Sequence, residues 1–200
     1  MYDPPAFRAG ADDAAAIVAA YPLGQLVVNS PDGLAATPVP LLMRDGALVG
    51  HLARPNPVWR HGGPALAIFS GADAYVSPTW YPSKAEHGRV VPTWNYETVQ
   101  VHGTLIAHDE PAWTLAVVRL LTDTFESRLP TPWSVDDAPD DHIEGLLRSI
   151  VGIELVDLRW TVKRKFSQNR SDADRTGVAD ALTQGNARQR EAADAMHDTL

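Results

Sequence analysis

LGQLVVNSPDGLAATPVPLLMRDGALVGHLA, residues 23–53, is the stretch that decides the fold class. It consists of apolar segments separated by Pro-Asp-Gly at 31–33 and Arg-Asp-Gly at 44–46, which are typical of tight turns. The pattern therefore predicts antiparallel strands that follow one another as a meander. Pro38 and Pro40 cannot donate backbone hydrogen bonds, so their strand is predicted to be an edge or an irregular strand.

The rest of the chain predicts more strands, with helices between and after them. We predict about six or seven mostly antiparallel strands, which is typical of a small barrel with peripheral helices. The fold class is therefore mainly β with peripheral helices (α+β), with a barrel domain at 1–182 and a C-terminal helical tail at 183–200 that frays. The further strands are predicted at 64–71, 73–77, 97–108 and 151–163, and the helices at 12–21, 54–63, 109–128, 138–150, 171–182 and 186–197.

Residue types also predict how the helices begin and which faces they bury. Asp12 or Asp13, Asp109 and Ser171 are predicted N-caps, because their side chains accept hydrogen bonds from free backbone N–H groups. Ser171 with Asp174 resembles a capping box. The apolar positions expected to face the core are Trp113, Val117, Leu121 and Phe125 in the helix at 109–128, and Ile143, Leu146, Leu147 and Ile150 in the next one.

Composition and charge exclude several classes of function. The chain has 200 residues, no cysteine, a net charge of −8 and a pI of about 5.2. Without cysteine there are no disulfides, thiolate metal sites or cysteine nucleophiles. No apolar run is long enough to cross a bilayer, and the N-terminus lacks the pattern of a signal peptide, so we predict a cytoplasmic protein with no membrane partner.

Known sequence motifs exclude other functions. The P-loop, the dinucleotide-binding glycine pattern and the nucleophile elbow are absent. The histidines are scattered without an i, i+4 pair on a helix, so no metal site is predicted. Only the two C-terminal helices are candidates for a helix-turn-helix, and the second is not basic. Direct DNA binding is thus left open, but the sequence gives it no support, and the acidic balance opposes it.

Three segments are candidates for ligand binding. In HLARPNP, residues 51–57, Arg54 and Asn56 lie where a strand ends and a short helix begins. The free N–H groups of a helix start, together with an arginine, suit a phosphate. The alternative is that Asn56 only caps the helix and Arg54 is solvated.

The second segment is the aromatic-rich region at 77–97. Aromatic rings there are candidates to cover a flat heterocycle, with nearby polar side chains as hydrogen-bonding groups. The alternative is that prolines and aromatics pack loops onto a barrel, which is the better expectation for each ring taken alone. The aromatic residues are Trp80, Tyr81, Trp94 and Tyr96, and the polar ones are Ser77, Lys84 and Asn95.

The third segment is KRKFSQNR, residues 163–170. It is a candidate to contact nucleic-acid phosphates, to hold the charged end of a small ligand, or to cap the following helix and pair with carboxylates. The basic run is short, and Asp172 and Asp174 follow it at once. This favours binding of a compact anion, or ion pairs within the protein, over a surface that binds DNA.

Six motifs together resemble the PaiB-type FMN-binding negative transcriptional regulators. They occur in the order expected for that family and span about Tyr2 to Leu182. The resemblance implies a split β-barrel related to the pyridoxamine-phosphate-oxidase-like flavoproteins, usually a homodimer with two FMN sites at the subunit interface. It also implies an association with repression of sporulation and protease genes in bacilli. The motifs are GHLARPNPVW, YVSPTWYPSK, VPTWNYETVQVHG, PWSVDDAP, IVGIE and KFSQNRSDADRTGV.

The resemblance also implies positions for an FMN site. FMN needs a cradle for its phosphate, cover for its isoalloxazine ring and polar groups near the ring nitrogens. By motif position, Arg54 and Asn56 are assigned to the phosphate, and Thr37, Pro38 and Val39 to the strand beside the ring. Pocket closure, from the same or the other subunit, is assigned to Trp80, Lys84, Trp94 and Asn95, and completion of the pocket to Lys165, Ser167 and Gln168.

Three functions compete on these grounds, and the sequence does not settle whether the protein is an enzyme. The first is a dimeric FMN-binding regulatory protein that senses flavin or redox state. The second is a flavin-dependent oxidoreductase that passes electrons from NADH or NADPH to a small acceptor. The third is a DNA binder without flavin. No catalytic acid or base is assigned, because a flavin itself carries the redox chemistry.

Overall fold

The computed structural model describes residues 1–199, and within them the chain forms seven strands and six α-helices. The strands are β1 (Leu23–Ser30), β2 (Gly33–Pro40), β3 (Leu42–Arg44), β4 (Ala47–Ala53), β5 (Gly63–Val76), β6 (Thr93–His108) and β7 (Ile150–Lys165). The helices are α1 (Ala11–Ala20), α2 (Ser83–His87), α3 (Pro111–Glu126), α4 (Asp140–Leu147), α5 (Asp172–Thr183) and α6 (Ala187–His197). Short 3₁₀ turns occur at Pro5–Phe7, Pro57–Arg60, Pro78–Trp80 and Val135–Asp137.

The strands form one sheet in the order β2-β1-β5-β6-β7-β4-β3. The hairpins β1–β2 and β3–β4 are antiparallel, as predicted. The continuous meander is wrong, however, because β2 and β3 lie at opposite edges of the sheet. Pro38 and Pro40 explain the break, since neither has an N–H group with which to pair another strand. The predicted edge position of their strand is confirmed.

The chain divides into two compact units, each with its own core. The first unit contains Met1–Ala20, Ser70–Val99 and the chain from Thr161 onward. Its core brings Val178 and Leu182 of α5 and Met196 of α6 together with Tyr81 and Phe166. The prediction of a fraying tail at residues 183 onward therefore differs from the structure, because α6 buries Ala192, Ala193 and Met196. The domain boundary at 182 stays a prediction.

The second unit contains Tyr21–Phe69 and Gln100–Trp160. Val117 and Leu121 of α3 pack against Leu42 and Val49 of β3 and β4, with Trp113, Leu120 and Phe125 around them. The predicted four-residue repeat of α3 is thus confirmed. In α4, in contrast, only Leu147 is buried: Leu146 is 50% exposed, Ile143 is partly exposed, and Ile150 belongs to β7.

Of the three predicted N-caps, that of α5 is confirmed and the other two differ from the structure. Asp13 is inside α1, where its carboxylate accepts a hydrogen bond from Gly10 N–H (2.9 Å). Asp109 does not cap α3. Glu110 is the N-cap residue of that helix, without a side-chain hydrogen bond, and the Asp109 carboxylate accepts from Arg54. Ser171 does cap α5 by accepting from the N–H of Asp174 (3.2 Å).

The reciprocal half of that predicted capping box does not form. The Asp174 carboxylate instead accepts hydrogen bonds from the N–H and hydroxyl of Ser83, at 3.0 and 2.7 Å. It thereby ties the start of α5 to the start of α2. No helix within residues 1–199 is long and apolar enough to cross a membrane.

Candidate functional site

The predicted site residues fall into two groups, one in each unit. In the second unit, the structure brings Thr37 and Asn56 together. Asn56 Nδ2 donates to Thr37 Oγ1 (2.9 Å), and Asn56 Oδ1 accepts from Val58 N–H (3.0 Å) as the cap of the 3₁₀ turn. Both polar atoms of the Asn56 side-chain amide therefore already form hydrogen bonds within the protein.

The side chain of Arg54 is also engaged. Its Nη2 donates to Asp109 Oδ1 (2.6 Å) and to the carbonyl of Ile150 (3.0 Å), and its Nε donates to the carbonyl of Arg148 (2.8 Å). The pair is accessible, with side-chain exposures of 36% for Arg54 and 69% for Asp109. The interpretation of Arg54 as a solvated cation is therefore wrong, whereas its assignment to a phosphate stays a prediction.

The strand assigned to the FMN ring lies at the edge of the sheet. Thr37, Pro38 and Val39 pair with Leu26, Gln25 and Gly24 of β1. Thr37 and Val39 are buried, and Pro38 points to the exposed face between them. This is the alternation of an edge strand with one face on the core.

In the first unit, Lys165 is at the centre of the second group. Its Nζ donates to Thr93 Oγ1 (2.6 Å) and to the carbonyl of Trp94, and it lies 5.9 Å from the ring centre of Tyr96. The Nζ of Lys163 lies 5.4 Å from the centre of the same Tyr96 ring and donates to the carbonyl of Tyr2 (3.3 Å). Among residues 1–199, the ion pairs include neither lysine.

The electrostatics of Lys165 follow from these contacts. Burial lowers the pKa of its ammonium group, and the positive charges of Lys163 and Arg170 lower it further. Oxygen atoms of a hydroxyl and a carbonyl hold the ammonium group but do not neutralise it. The region therefore carries a concentrated positive charge that an anion would stabilise.

Three other predicted residues hold this lysine segment in place. Ser167, with a φ of 65°, donates its hydroxyl to Asn95 Oδ1 (3.1 Å), and both side chains are buried. Gln168 closes the turn by accepting from Phe166 N–H and donating to the Arg164 carbonyl, both at 2.7 Å. Ser167, Asn95 and Gln168 thus position the segment through bonds within the protein.

The aromatic residues have two different settings. Trp94 is 52% exposed, meets Tyr75 edge to face at 6.1 Å, and lines a groove of about 380 Å³ with Tyr96 and Glu97. Trp80 is partly buried against the core of the first unit and lines another groove, of about 460 Å³, with the exposed Lys84. The ring of Tyr96 therefore lies beside both lysines, whereas Trp94 meets Lys165 through its backbone carbonyl.

Sequence reasoning assigned no role to two residues that shape this region. Glu97 is buried, pairs with Arg164 Nε (3.0 Å) and accepts from the N–H of Ala72 (3.3 Å), so Arg164 is neutralised while its neighbours are not. Lys163 is buried as well. The alternation of side chains along a strand could have indicated the role of Lys163, because Lys163 and Lys165 share one side of β7 and Arg164 faces the other. Within residues 1–199, no cluster of histidine, aspartate and glutamate fits a metal ion.

Comparison with known proteins gives a family match and a shared fold. Residues 1–156 match a family described as "Putative FMN-binding domain". The protease synthase and sporulation protein PAI 2 of Bacillus subtilis is 30% identical over 159 residues, which are 76% of this chain and 73% of that protein. An uncharacterized protein of Aspergillus fumigatus is 32% identical over 205 residues, which cover 81% of this chain and 77% of that protein.

Two solved structures have a similar fold. The flavocytochrome Anf3 from Azotobacter vinelandii has a TM-score of 0.60 at 14% identity, covering 84% of this chain and 73% of that one. The FAD and heme binding protein from Mycobacterium smegmatis has a TM-score of 0.57 at 17% identity, covering 88% of this chain and 79% of that one. The predicted fold class, a mainly β split barrel with peripheral helices, is confirmed.

Proposed function

This chain belongs to the family of FMN-binding domains, and from that premise we propose that it is a homodimeric regulatory protein that senses flavin or redox state. The predicted family and the predicted cofactor, FMN, are confirmed by the match. The regulatory role is supported by the name of the Bacillus subtilis relative, a protease synthase and sporulation protein. The cytoplasmic location stays a prediction.

The observation that carries the proposal is the lysine pair beside the ring of Tyr96, with Lys165 also bound to the backbone carbonyl of Trp94. The FMN phosphate carries about −1.5 to −2 charges near neutral pH, and Lys163 and Lys165 supply positive charge that no carboxylate within residues 1–199 neutralises. Tyr96 supplies aromatic surface beside them, and the exposed ring of Trp94 lines the same groove as Tyr96. The residues present therefore fit the cofactor. When bound, FMN supplies hydride and electron transfer, while this chain supplies charge, cover and orientation.

A homodimer is supported by the outer face of the sheet at β2 and β1. On β2, Leu34, Ala36, Pro38 and Pro40 are all exposed and alternate with residues that are buried or partly buried. Leu23 pairs with Pro40 and is 62% exposed. A sheet face that meets water normally carries polar side chains, so an exposed apolar face indicates a protein partner. A second copy related by two-fold symmetry would cover this face and Pro38 with it.

The dimer has a direct test. Leu34 is 77% exposed, so Leu34→Lys leaves the fold intact and places a charge on the outer face. We expect light scattering to report a dimer for the parent and a monomer for Leu34→Lys. Leu146→Lys, on α4, is the matched control and stays dimeric. A monomeric parent at micromolar concentration would remove the proposal of a dimer.

The cofactor has a test of its own, the visible absorption spectrum of the purified protein before and after incubation with FMN and desalting. A retained flavin spectrum is expected. If no flavin remains after incubation, the lysine pair binds another anion or none.

A DNA-binding role without flavin predicts a gel shift that weakens steeply with salt, and no shift at any salt concentration would exclude it.

An oxidoreductase is the alternative function, and the groove beside Trp94 favours it. With about 380 Å³ and an open entrance, this groove has room for a small acceptor or a nicotinamide next to the aromatic surface. Steady oxidation of NADH or NADPH by the FMN-loaded protein would support an enzyme. Absence of turnover over a range of acceptors would leave the regulatory function.

A further inference from the structure

The three lysines of the chain have different surroundings. Lys84 is exposed on α2, and Lys163 is buried in β7. Lys165, the last residue of β7, is partly exposed, and its Nζ contacts Thr93, which is partly exposed, and Trp94, which is exposed. A small molecule in solution can therefore reach the amine of Lys165.

Two hydrogen bonds fix the direction in which this amine is free. Nζ donates to Thr93 Oγ1 (2.6 Å) and to the backbone carbonyl of Trp94. An ammonium group has three N–H donors, so these two bonds leave one position unused. When the group loses its third proton, both bonds persist, and the lone pair of the neutral amine occupies that position. The bonds thus hold the amine so that its lone pair is available for reaction.

The charges around Lys165 favour the neutral amine. None of the ion pairs within residues 1–199 includes this lysine, so no carboxylate stabilises its ammonium form. Burial lowers the pKa of the group, and the positive charges of Lys163 and Arg170 lower it further. A lysine that is desolvated or lies near another cation is activated as a nucleophile towards carbonyl compounds.

The neighbouring cations also select the kind of carbonyl compound. Arg170 is partly exposed, and its guanidinium lies over the ring of Tyr81, 4.9 Å from the ring centre. No ion pair in the described part of the chain includes Arg170, so its N–H groups remain for an anionic group. Lys163 is buried and adds its positive charge without direct contact. An electrophile with a negative charge is therefore favoured over a neutral one.

We infer that Lys165 forms a reversible imine with a small aldehyde that carries an anionic group. Nζ attacks the carbonyl carbon and forms a C–N bond, and the carbonyl oxygen leaves as water with the two hydrogens of the amine. Nothing is oxidised or reduced, and no co-reactant is needed. The Thr93 hydroxyl, which donates as well as accepts, bonds the imine nitrogen.

The inference uses the lysine pair of the proposed FMN site but does not require FMN. An adduct on Lys165 removes one of the two cations offered to the FMN phosphate. For a regulatory protein, such an aldehyde is a second signal that acts at the same position.

The test compares 4-carboxybenzaldehyde with benzaldehyde, which lacks the anionic group, on the full chain at pH 7 without added FMN. Borohydride reduction converts each imine to a stable amine, and peptide mapping by mass spectrometry assigns each adduct to its lysine. We expect more adduct on Lys165 than on Lys84 with both probes. The excess on Lys165 should be about fivefold larger with the carboxylate probe, which corresponds to about 1 kcal/mol. Lys84, being exposed, is the control within the same molecule.

A matched pair of variants tests the role of the cation. Arg170→Gln should lose most of the preference for the carboxylate probe, whereas Arg190→Gln, at an exposed arginine of the same unit, should keep it. If Arg170→Gln folds poorly, the comparison of the two probes in the parent still decides. Less adduct on Lys165 than on Lys84, an equal excess with both probes, or an unchanged preference in folded Arg170→Gln would each overturn the inference.

Discussion

Arg54 in the second unit and Lys165 in the first are both basic residues at the end of a strand, and both were candidates for a phosphate. The structure gives them different surroundings. Arg54 donates to the carboxylate of Asp109 and to two carbonyls. Lys165 donates to a hydroxyl and a carbonyl and has two further cations nearby. The charge of Arg54 is neutralised by Asp109, whereas that of Lys165 has no carboxylate partner in the described part of the chain.

This difference shows that the availability of a cation depends on the carboxylates that the fold brings to it. Asp109 is 55 residues from Arg54 in sequence. Arg164 pairs with the buried carboxylate of Glu97, and its neighbours Lys163 and Lys165 face the other side of β7. We therefore expect an anion to gain more from Lys165 than from Arg54.

The largest expected effect is the loss of FMN binding in Lys165→Met. A hydrogen bond to a charged group contributes about 1.5–3 kcal/mol, so the dissociation constant should rise roughly 30-fold. Lys84→Met is the comparison variant: the family resemblance assigned Lys84 to pocket closure, but Lys84 lies in the other groove with Trp80, so we expect its loss to change the affinity by less than about twofold. Fluorescence titration of FMN measures both.

The fold of both variants has to be checked by urea unfolding. If Lys165→Met binds FMN as the parent does while Lys84→Met does not, Lys84 takes over the phosphate role. If neither variant binds less tightly, the lysine pair is not the phosphate site.

Much of the fold was predictable because its signals are local. Two turn sequences set the hairpins β1–β2 and β3–β4, and two prolines set an edge strand. The order of the strands was not predictable in the same way. The separation of β2 from β3 to opposite edges depends on pairings between distant strands, such as β4 with β7.

The candidate site was predictable as segments, and its internal bonds were not. Asn95 and Ser167 were both selected from sequence, and the structure joins them by a hydrogen bond across 72 residues. Asn56 caps the turn that follows it, as one of the two interpretations of the sequence expected, but its bond to Thr37 was not foreseen.

A smaller effect is expected at Arg54. Nη1 takes part in none of its three bonds, so part of the guanidinium remains for a phosphate. We expect Arg54→Met to weaken FMN binding about fivefold, less than Lys165→Met. Asp109→Asn, which releases the guanidinium, should strengthen binding about twofold and cost about 0.5 kcal/mol of stability as an exposed pair.

FMN titration and urea unfolding of Arg54→Met and Asp109→Asn, measured alongside Lys165→Met, rank the contributions of Arg54 and Lys165 to FMN affinity. A loss in Arg54→Met equal to that in Lys165→Met would reverse the comparison and make Arg54 the principal phosphate ligand. No change in Arg54→Met would restrict its role to holding Asp109.

The smallest expected effect is on the pH dependence of FMN binding, and it separates the two cations by chemistry. Burial and neighbouring charges lower the pKa of Lys165 from its ordinary value of 10.5, whereas an arginine stays charged throughout. A bound anion favours the protonated lysine, so affinity falls as the pH rises through the lowered pKa. Between pH 7 and 9, the parent and Arg54→Met should lose affinity about twofold, and Lys165→Arg should lose none. An equal decline in Lys165→Arg would assign the pH dependence to another group and leave Lys165 as a charge of ordinary basicity.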